Sequence, residues 1–148
     1  MSYLSLKSAM SKNNHKILAI DPGTRVMGIA FLDKRKLIYH GVKVTKKKRS
    51  PHETLREGRK IILRLIKDFK PQVLVFEKAF FANNRSASLL NVFVDEIKAI
   101  GRRKELKVIG YAPSTVKKFI CGNGRASKKE LARVIVSNTL SLKSTSLK

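Results

Sequence analysis

The sequence predicts an α/β domain, a mixed five-stranded sheet with helices on both faces. Three observations carry that expectation. Short apolar runs ending at turn signals alternate with longer amphipathic stretches, in the order β-β-β-α-β-α-β-α-α. The first three runs are separated only by turns, which makes them hairpins, whereas the later ones are joined through helix-length segments. Finally, "QVLVFE" at residues 72–77 is almost wholly apolar, as a strand is when it lies in the middle of a sheet between helices.

Taken in order, the strands expected first are Lys16–Ile20, Val26–Leu32 and Lys36–Val44, with Asp33-Lys34 as the turn between the second and third. The basic run Lys46-Lys47-Lys48-Arg49 leads to "SPHE", a capping box with Ser50 as N-cap, Pro51 at the first helical position and Glu53 three residues beyond the cap. The helix it opens places Leu55, Ile62, Leu65, Ile66 and Phe69 on one stripe, and Pro71 closes it. After the fourth strand and a polar "ANNR" loop comes a helix over Ser86–Lys104. Its Leu89, Leu90, Val92, Phe93, Val94, Ile97 and Ile100 are more apolar surface than one core face needs, so the surplus serves either extra core or a subunit interface. "KVIGY" is the fifth strand, "PSTVKKFI" a short helix and "CGNG" a glycine-hinged loop. "SKKE" repeats the capping box at Ser127 and Glu130 and opens a last helix to about Asn138.

The 148 residues suit one domain over 16–148, preceded by a loose tail at 1–15 that lacks the continuous apolar stretch of a signal peptide. At 43% hydrophobic the chain can bury a core, which excludes a wholly disordered polymer. Lys and Arg total 33 against 10 Asp and Glu, a net charge of +23. So large an excess repels itself in a compact fold unless a polyanion neutralises it, and nucleic acid is the expected partner. An anionic membrane surface is the competing polyanion, but the apolar runs are too short to span a bilayer. A single cysteine, Cys121, excludes an internal disulfide and fits a reducing, cytoplasmic location.

The chemistry concentrates where apolar runs break on acids. "ILAIDPGTRVMGIAF" delivers Asp21 into a Pro-Gly turn, and "VLVFEK" ends on Glu77. Ligands of open α/β sheets gather at the carboxyl ends of central strands, so two adjacent central strands would bring both carboxylates to one edge. Two such groups repel unless a proton or cation lies between them. A neighbouring lysine would make the pair purely structural. The functional alternative is Mg²⁺ or Mn²⁺, hard cations that take carboxylate oxygens, waters and substrate phosphates. Two such ions, roughly 3.5–4 Å apart, promote phosphodiester cleavage. Gly23 and Gly28 allow close approach around Asp21. The Asp-x-Gly pattern alone is shared with phosphate-binding loops of the actin and sugar-kinase superfamily, whose members are longer and need a second lobe.

Together with "VLVFEKAFFANNRSA" and "APSTVKKFICGNGRASK", the first stretch resembles the bacterial RuvC-type Holliday junction resolvases, nucleases of the ribonuclease H-like fold. The resemblance runs in unbroken order over roughly residues 16–138. It implies Asp21 and Glu77 as metal-binding, catalytic carboxylates. It implies Lys117 and Lys128, eleven residues apart around Gly122 and Gly124, as catalytic lysines at the scissile region. Phe80 or Phe81 would stack on junction bases, for about 1–3 kcal/mol. Lys78, Arg85, Lys118 and Arg125 join Lys117 and Lys128 as expected nucleic-acid contacts. The family works as a homodimer on a four-way DNA junction, which makes the 86–104 helix the expected interface and a branch-migration helicase a further partner.

The sequence departs from the family pattern in two places. "NVFVDEIKAIGRR" replaces a small, glycine-containing segment in the interface helix, and no Asp, Glu or His follows Glu130, where the family carries further acids on a closing helix. The expectation is therefore a chain truncated before its last acidic helix, able to bind junctions and cutting them feebly. Asp95, Glu96 and Glu130 read as helix-surface or cap charges. Two alternatives stand beside the nuclease: a non-catalytic junction- or RNA-binding module of the same fold, and a pre-ribosomal-RNA processing nuclease. The latter shares the "DPG" strand but usually lacks an acid at the place of Glu77.

Overall fold

Alternation of large apolar with small or polar residues sets the first strands. In β1 (Lys16–Asp21) Leu18 and Ile20 are buried while Ala19 and Asp21 point the other way; in β2 (Val26–Asp33) Met27, Ile29 and Phe31 are the buried set. The structure, a computed structural model, describes residues 15–45, 50–78, 85–127 and 129–134, with Arg85 and Ser86 as backbone only. Residues 1–14 of the expected tail, the basic run 46–49, the "ANNR" loop before residue 85 and the last helix beyond 134 lie outside the described residues.

β1 and β2 pair antiparallel from Lys16↔Asp33 to Asp21↔Gly28, and β2 pairs antiparallel with β3 (Lys36–Val44). β4 (Val73–Glu77) joins β1 in parallel, and β5 (Lys107–Tyr111) completes a mixed sheet in the order β3-β2-β1-β4-β5. The chain makes the second hairpin one residue later than the turn residues suggest. Lys34 and Arg35, with φ of 48° and 75°, form a two-residue turn in the left-handed region. That conformation costs a side-chain-bearing residue about 1–2 kcal/mol. Beyond the turn, Leu32 faces Leu37 but Phe31 faces Tyr39, so a bulge at Ile38 kinks the edge strand.

The capping box forms as expected: the Glu53 N–H donates to Ser50 Oγ at 3.2 Å and the Ser50 N–H to Glu53 Oε2 at 3.0 Å. It opens α1 (Pro51–Phe69), which buries Ile62, Leu65 and Ile66, with Leu55 and Phe69 packed against the same core. Phe69 stacks on Phe31 at 4.5 Å between centroids and leans on Tyr39 at 5.4 Å. The second long helix, α2 (Arg85–Arg103), adds Phe93, Val94, Ile97 and Ile100 to that core. Gly58 lets the two helices touch, because a Cβ there would overlap the Phe93 ring. Glu96 ties them again, accepting from Arg59 Nε at 2.8 Å and Arg103 at 3.3 Å. Both helices cover the face that carries Leu18, Ile20, Leu74 and Phe76, which leaves Asp21 and Glu77 to the other face.

The chain folds as two compact units, one up to Gly110 and a second from Tyr111. In the second, Pro113 starts α3 (Pro113–Cys121), and Gly122, at φ 74°, ends it by donating its N–H to the Lys118 carbonyl. The Asn123 side chain then accepts from the Arg125 N–H at 2.9 Å, and the loop folds back until Gly124 lies against Ser114. Ser127 and Glu130 form the second expected capping box ahead of helical residues 129–134.

Candidate metal centre and nucleic-acid interface

The β1–β4 ladder ends at Ile20↔Phe76, so Asp21 and Glu77 are the next residues on two adjacent parallel strands. In-register parallel neighbours point to the same face, and the spacing between strands puts their Cα atoms roughly 5 Å apart. The apolar runs thus deliver the two carboxylates side by side at the carboxyl edge of the sheet. Asp21 is exposed and Glu77 half-buried.

Small residues keep the space around Asp21 open. Gly28 sits directly opposite it on β2, and a Cβ at Gly28 would lie 3.2 Å from Asp21 Cβ and 3.8 Å from Oδ2. The turn that follows is fixed at Gly23, where a Cβ would overlap the Val26 carbonyl oxygen. It is clasped from β3's end by Thr45, whose hydroxyl donates to the Thr24 carbonyl at 2.7 Å and whose N–H donates to the Arg25 carbonyl at 2.8 Å. Thr45 is a positioning residue that sequence reasoning missed. Nothing in the local pattern links it to a turn twenty residues earlier.

The other expected site residues fall into three groups. Lys78 is exposed directly after Glu77, and its stem crosses Gly110 of β5. Lys117 is half-buried, Lys118 and Arg125 are exposed, and all three belong to the second unit. Phe80, Phe81, Lys128 and the side chain of Arg85 lie outside the described residues. Of the remaining acids singled out, Asp95 pairs with Lys98 at 3.3 Å, Glu96 with two arginines, and Glu130 with its cap. Ser127 holds Glu130 below its ordinary value, chiefly through its backbone N–H and then its hydroxyl. These acids are helix-surface and cap charges, as expected. Among the described residues no three His, Cys, Asp or Glu side chains converge as a metal-binding group. The acids that the sheet brings together at this edge are Asp21 and Glu77. Two carboxylates suit a hard cation that completes its shell with waters and phosphate oxygens.

The family model for the crossover junction endodeoxyribonuclease RuvC matches residues 17–147. The RuvC enzyme of Prochlorococcus marinus is 32% identical over 129 residues, covering 83% of this chain and 81% of that protein. The one from Fusobacterium nucleatum is 29% identical over 125 residues, covering 81% of this chain and 66% of its own length. In fold, the chain is similar to Thermus thermophilus RuvC solved with a Holliday junction substrate (TM-score 0.68, 21% identity, 81% of this chain and 76% of that one). It is also similar to the yeast mitochondrial resolvase Ydc2 (TM-score 0.64, 12% identity, 90% and 67%). The five-stranded mixed sheet is therefore the ribonuclease H-like fold expected from the sequence. With a family match across nearly all its length, this chain belongs to the RuvC crossover junction endodeoxyribonucleases.

Proposed function

We propose that this chain cleaves four-way DNA junctions by metal-dependent phosphodiester hydrolysis, in recombination and repair in the cytoplasm. The observation that carries the reading is the strand-end pair Asp21 and Glu77, inside a family match that runs through both units of the chain. On that basis the two units are read as one nuclease domain. The pair fits Mg²⁺ or Mn²⁺, because a cation between the carboxylates removes their repulsion and Gly28 leaves room beside Asp21. When bound, the metal supplies positive charge at the scissile phosphate and lowers the pKa of a coordinated water.

The chain's own residues do the rest. Asp21 and Glu77 hold the ion at the sheet edge. Lys117 and Lys128 steady charge that develops on the phosphate. Phe80 or Phe81 stacks on an unpaired base, while Lys78, Arg85, Lys118 and Arg125 neutralise backbone phosphates. A second copy docks through α2, where Val92 remains 52% exposed after the core has taken Phe93, Val94, Ile97 and Ile100. Two symmetric strands of a junction then meet two sites, and a branch-migration helicase is the expected further partner.

Cleavage of a labelled four-way junction in Mg²⁺ tests the reading, with Asp21→Asn and Glu77→Gln beside the unaltered protein. Each variant should keep junction binding and lose cleavage by a factor of about a hundred or more, as about 3 kcal/mol of transition-state stabilisation implies. If Asp21→Asn cleaves like the parent, the metal assignment fails. Metal-independent binding without any cleavage by the parent would favour a binding module instead.

A further inference from the structure

The end of the sheet opposite the carboxylates is strongly basic, and the backbone there is less comfortable than it needs to be. β1 runs from Lys16 at that end to Asp21 at the other, five steps of about 3.3 Å, or roughly 17 Å. The Lys34-Arg35 hairpin turn lies at the same end, since Asp33 pairs with Lys16. So does Lys70, the last residue of the α1 cap. Gln72, two residues on, donates its N–H to the Lys16 carbonyl and accepts from the Lys107 N–H. Lys104, just past the end of α2, completes the ridge. All six cations are exposed, and they extend across the five strands, about 19 Å at the usual spacing. Asp33, Asp68 and Glu105 are the acids nearby, and Asp68 already faces Arg64.

Two observations raise this ridge above an ordinary solvated face. Lys34, Arg35 and Lys70 hold φ of 48°, 75° and 48°, left-handed positions where glycine or asparagine would be easier. Three of the four described non-glycine residues at positive φ therefore carry a cation, all at one end of the fold. Nor do the ion pairs among the described residues, which use Arg59, Arg64, Lys98 and Arg103, involve any of these three. Cations kept at a conformational cost, and not spent on internal pairing, point to use by an external anion.

We propose that this end of the sheet is a second, sequence-independent contact for the phosphate backbone of duplex DNA, separate from the carboxylate edge. Lys and Arg dispersed along about 19 Å match the backbone of a duplex arm better than a single small anion. The inference rests on nucleic acid being the partner, not on cleavage.

The test uses the left-handed backbone. Lys34→Asn, Arg35→Gly and Lys70→Gly combined place turn- and cap-favouring residues at all three sites, so the variant should melt at or above the parent's temperature. Its affinity for a linear duplex of about 30 base pairs and for a four-way junction is measured against salt. The slope of log affinity against log salt should fall by about two to three units, with roughly tenfold or greater weakening near 0.1 M salt. A general loss of field at the carboxylate edge cannot imitate this, because roughly 17 Å exceeds the Debye length of about 10 Å at 0.1 M. An unchanged slope in a folded variant overturns the proposal. So does unchanged DNA binding with lost binding of poly-glutamate, which would assign the ridge to an acidic protein. Failure of the unaltered protein to bind any DNA would overturn this proposal and the proposed function together, whereas binding without cleavage would count against the proposed function alone.

Discussion

Replacing Gly28 by alanine should separate stability from catalysis. The new Cβ would stand 3.2 Å from Asp21 Cβ, where unstrained carbon contacts lie at about 3.5–4.0 Å. Relieving that overlap moves Asp21 by about 0.3–0.8 Å, because Gly28 is its direct partner across β1 and β2. The backbone gains from the change, since glycine inside a strand is worse than alanine by roughly 0.5–1 kcal/mol. The two effects nearly cancel in the fold, so the melting temperature should stay within about 3 °C of the parent. They do not cancel in the site. A misplacement approaching 1 Å costs on the order of a hundredfold in rate, so cleavage should fall at least about tenfold. Junction cleavage at saturating substrate across a Mg²⁺ titration, beside a thermal melt, gives both numbers. Cleavage within twofold of the parent would refute the reasoning, since it would mean that the space beside Asp21 does not matter to the reaction.

Three further outcomes follow from the same geometry. Thr45→Val removes the 2.7 Å bond to the Thr24 carbonyl; it should cost about 1 kcal/mol and speed amide hydrogen exchange in residues 23–25. Gly58→Ala drives a methyl into the Phe93 ring. Overpacking of about 1–3 kcal/mol outweighs roughly 1 kcal/mol of helix propensity, so a thermal melt should drop by several degrees. Glu130 is held below its ordinary value of 4.5 by Ser127, so its support for the last helix is present above that pH and lost as pH falls through the lowered value. Amide shifts of residues 129–134, followed by NMR downward from about pH 5, should show that loss, and Ser127→Ala should bring it to higher pH.

Much of this fold is legible in the sequence because its local signals agree with its tertiary ones. Both capping boxes form, and the apolar stripe of α1 is the buried one. The strand ends that carry Asp21 and Glu77 are marked by the point where each apolar run meets an acid. What the sequence hides is of two kinds. One is backbone conformation that the residue types argue against: nothing in Lys34-Arg35 announces a left-handed turn, so the hairpin reads one residue too early, and the bulge at Ile38 has no marker. The other is long-range placement. The Thr45 clasp, the Gly58–Phe93 contact and the Glu96 bridge each join residues that no local pattern connects.

The separation of charge within the sheet ties the carboxylate edge to the basic excess. A chain of net +23 could shield Asp21 simply by placing a lysine across the sheet from it. Instead Asp21 faces Gly28 across the sheet, and cations gather at the far ends of the same strands, at left-handed positions that disfavour them. Gly28 leaves the Asp21 side open to a divalent ion, whereas the basic residues about 17 Å away offer their charge to a polyanion at a separate contact. On the proposed reading, the two carboxylates meet a phosphate with a cation between them. A glycine beside the acid and lysines at the remote turn are therefore two parts of one electrostatic arrangement. Gly28→Lys should abolish metal binding at Asp21 while leaving duplex affinity intact or raised, an outcome that isothermal titration with Mn²⁺ and a duplex-binding assay can each read separately.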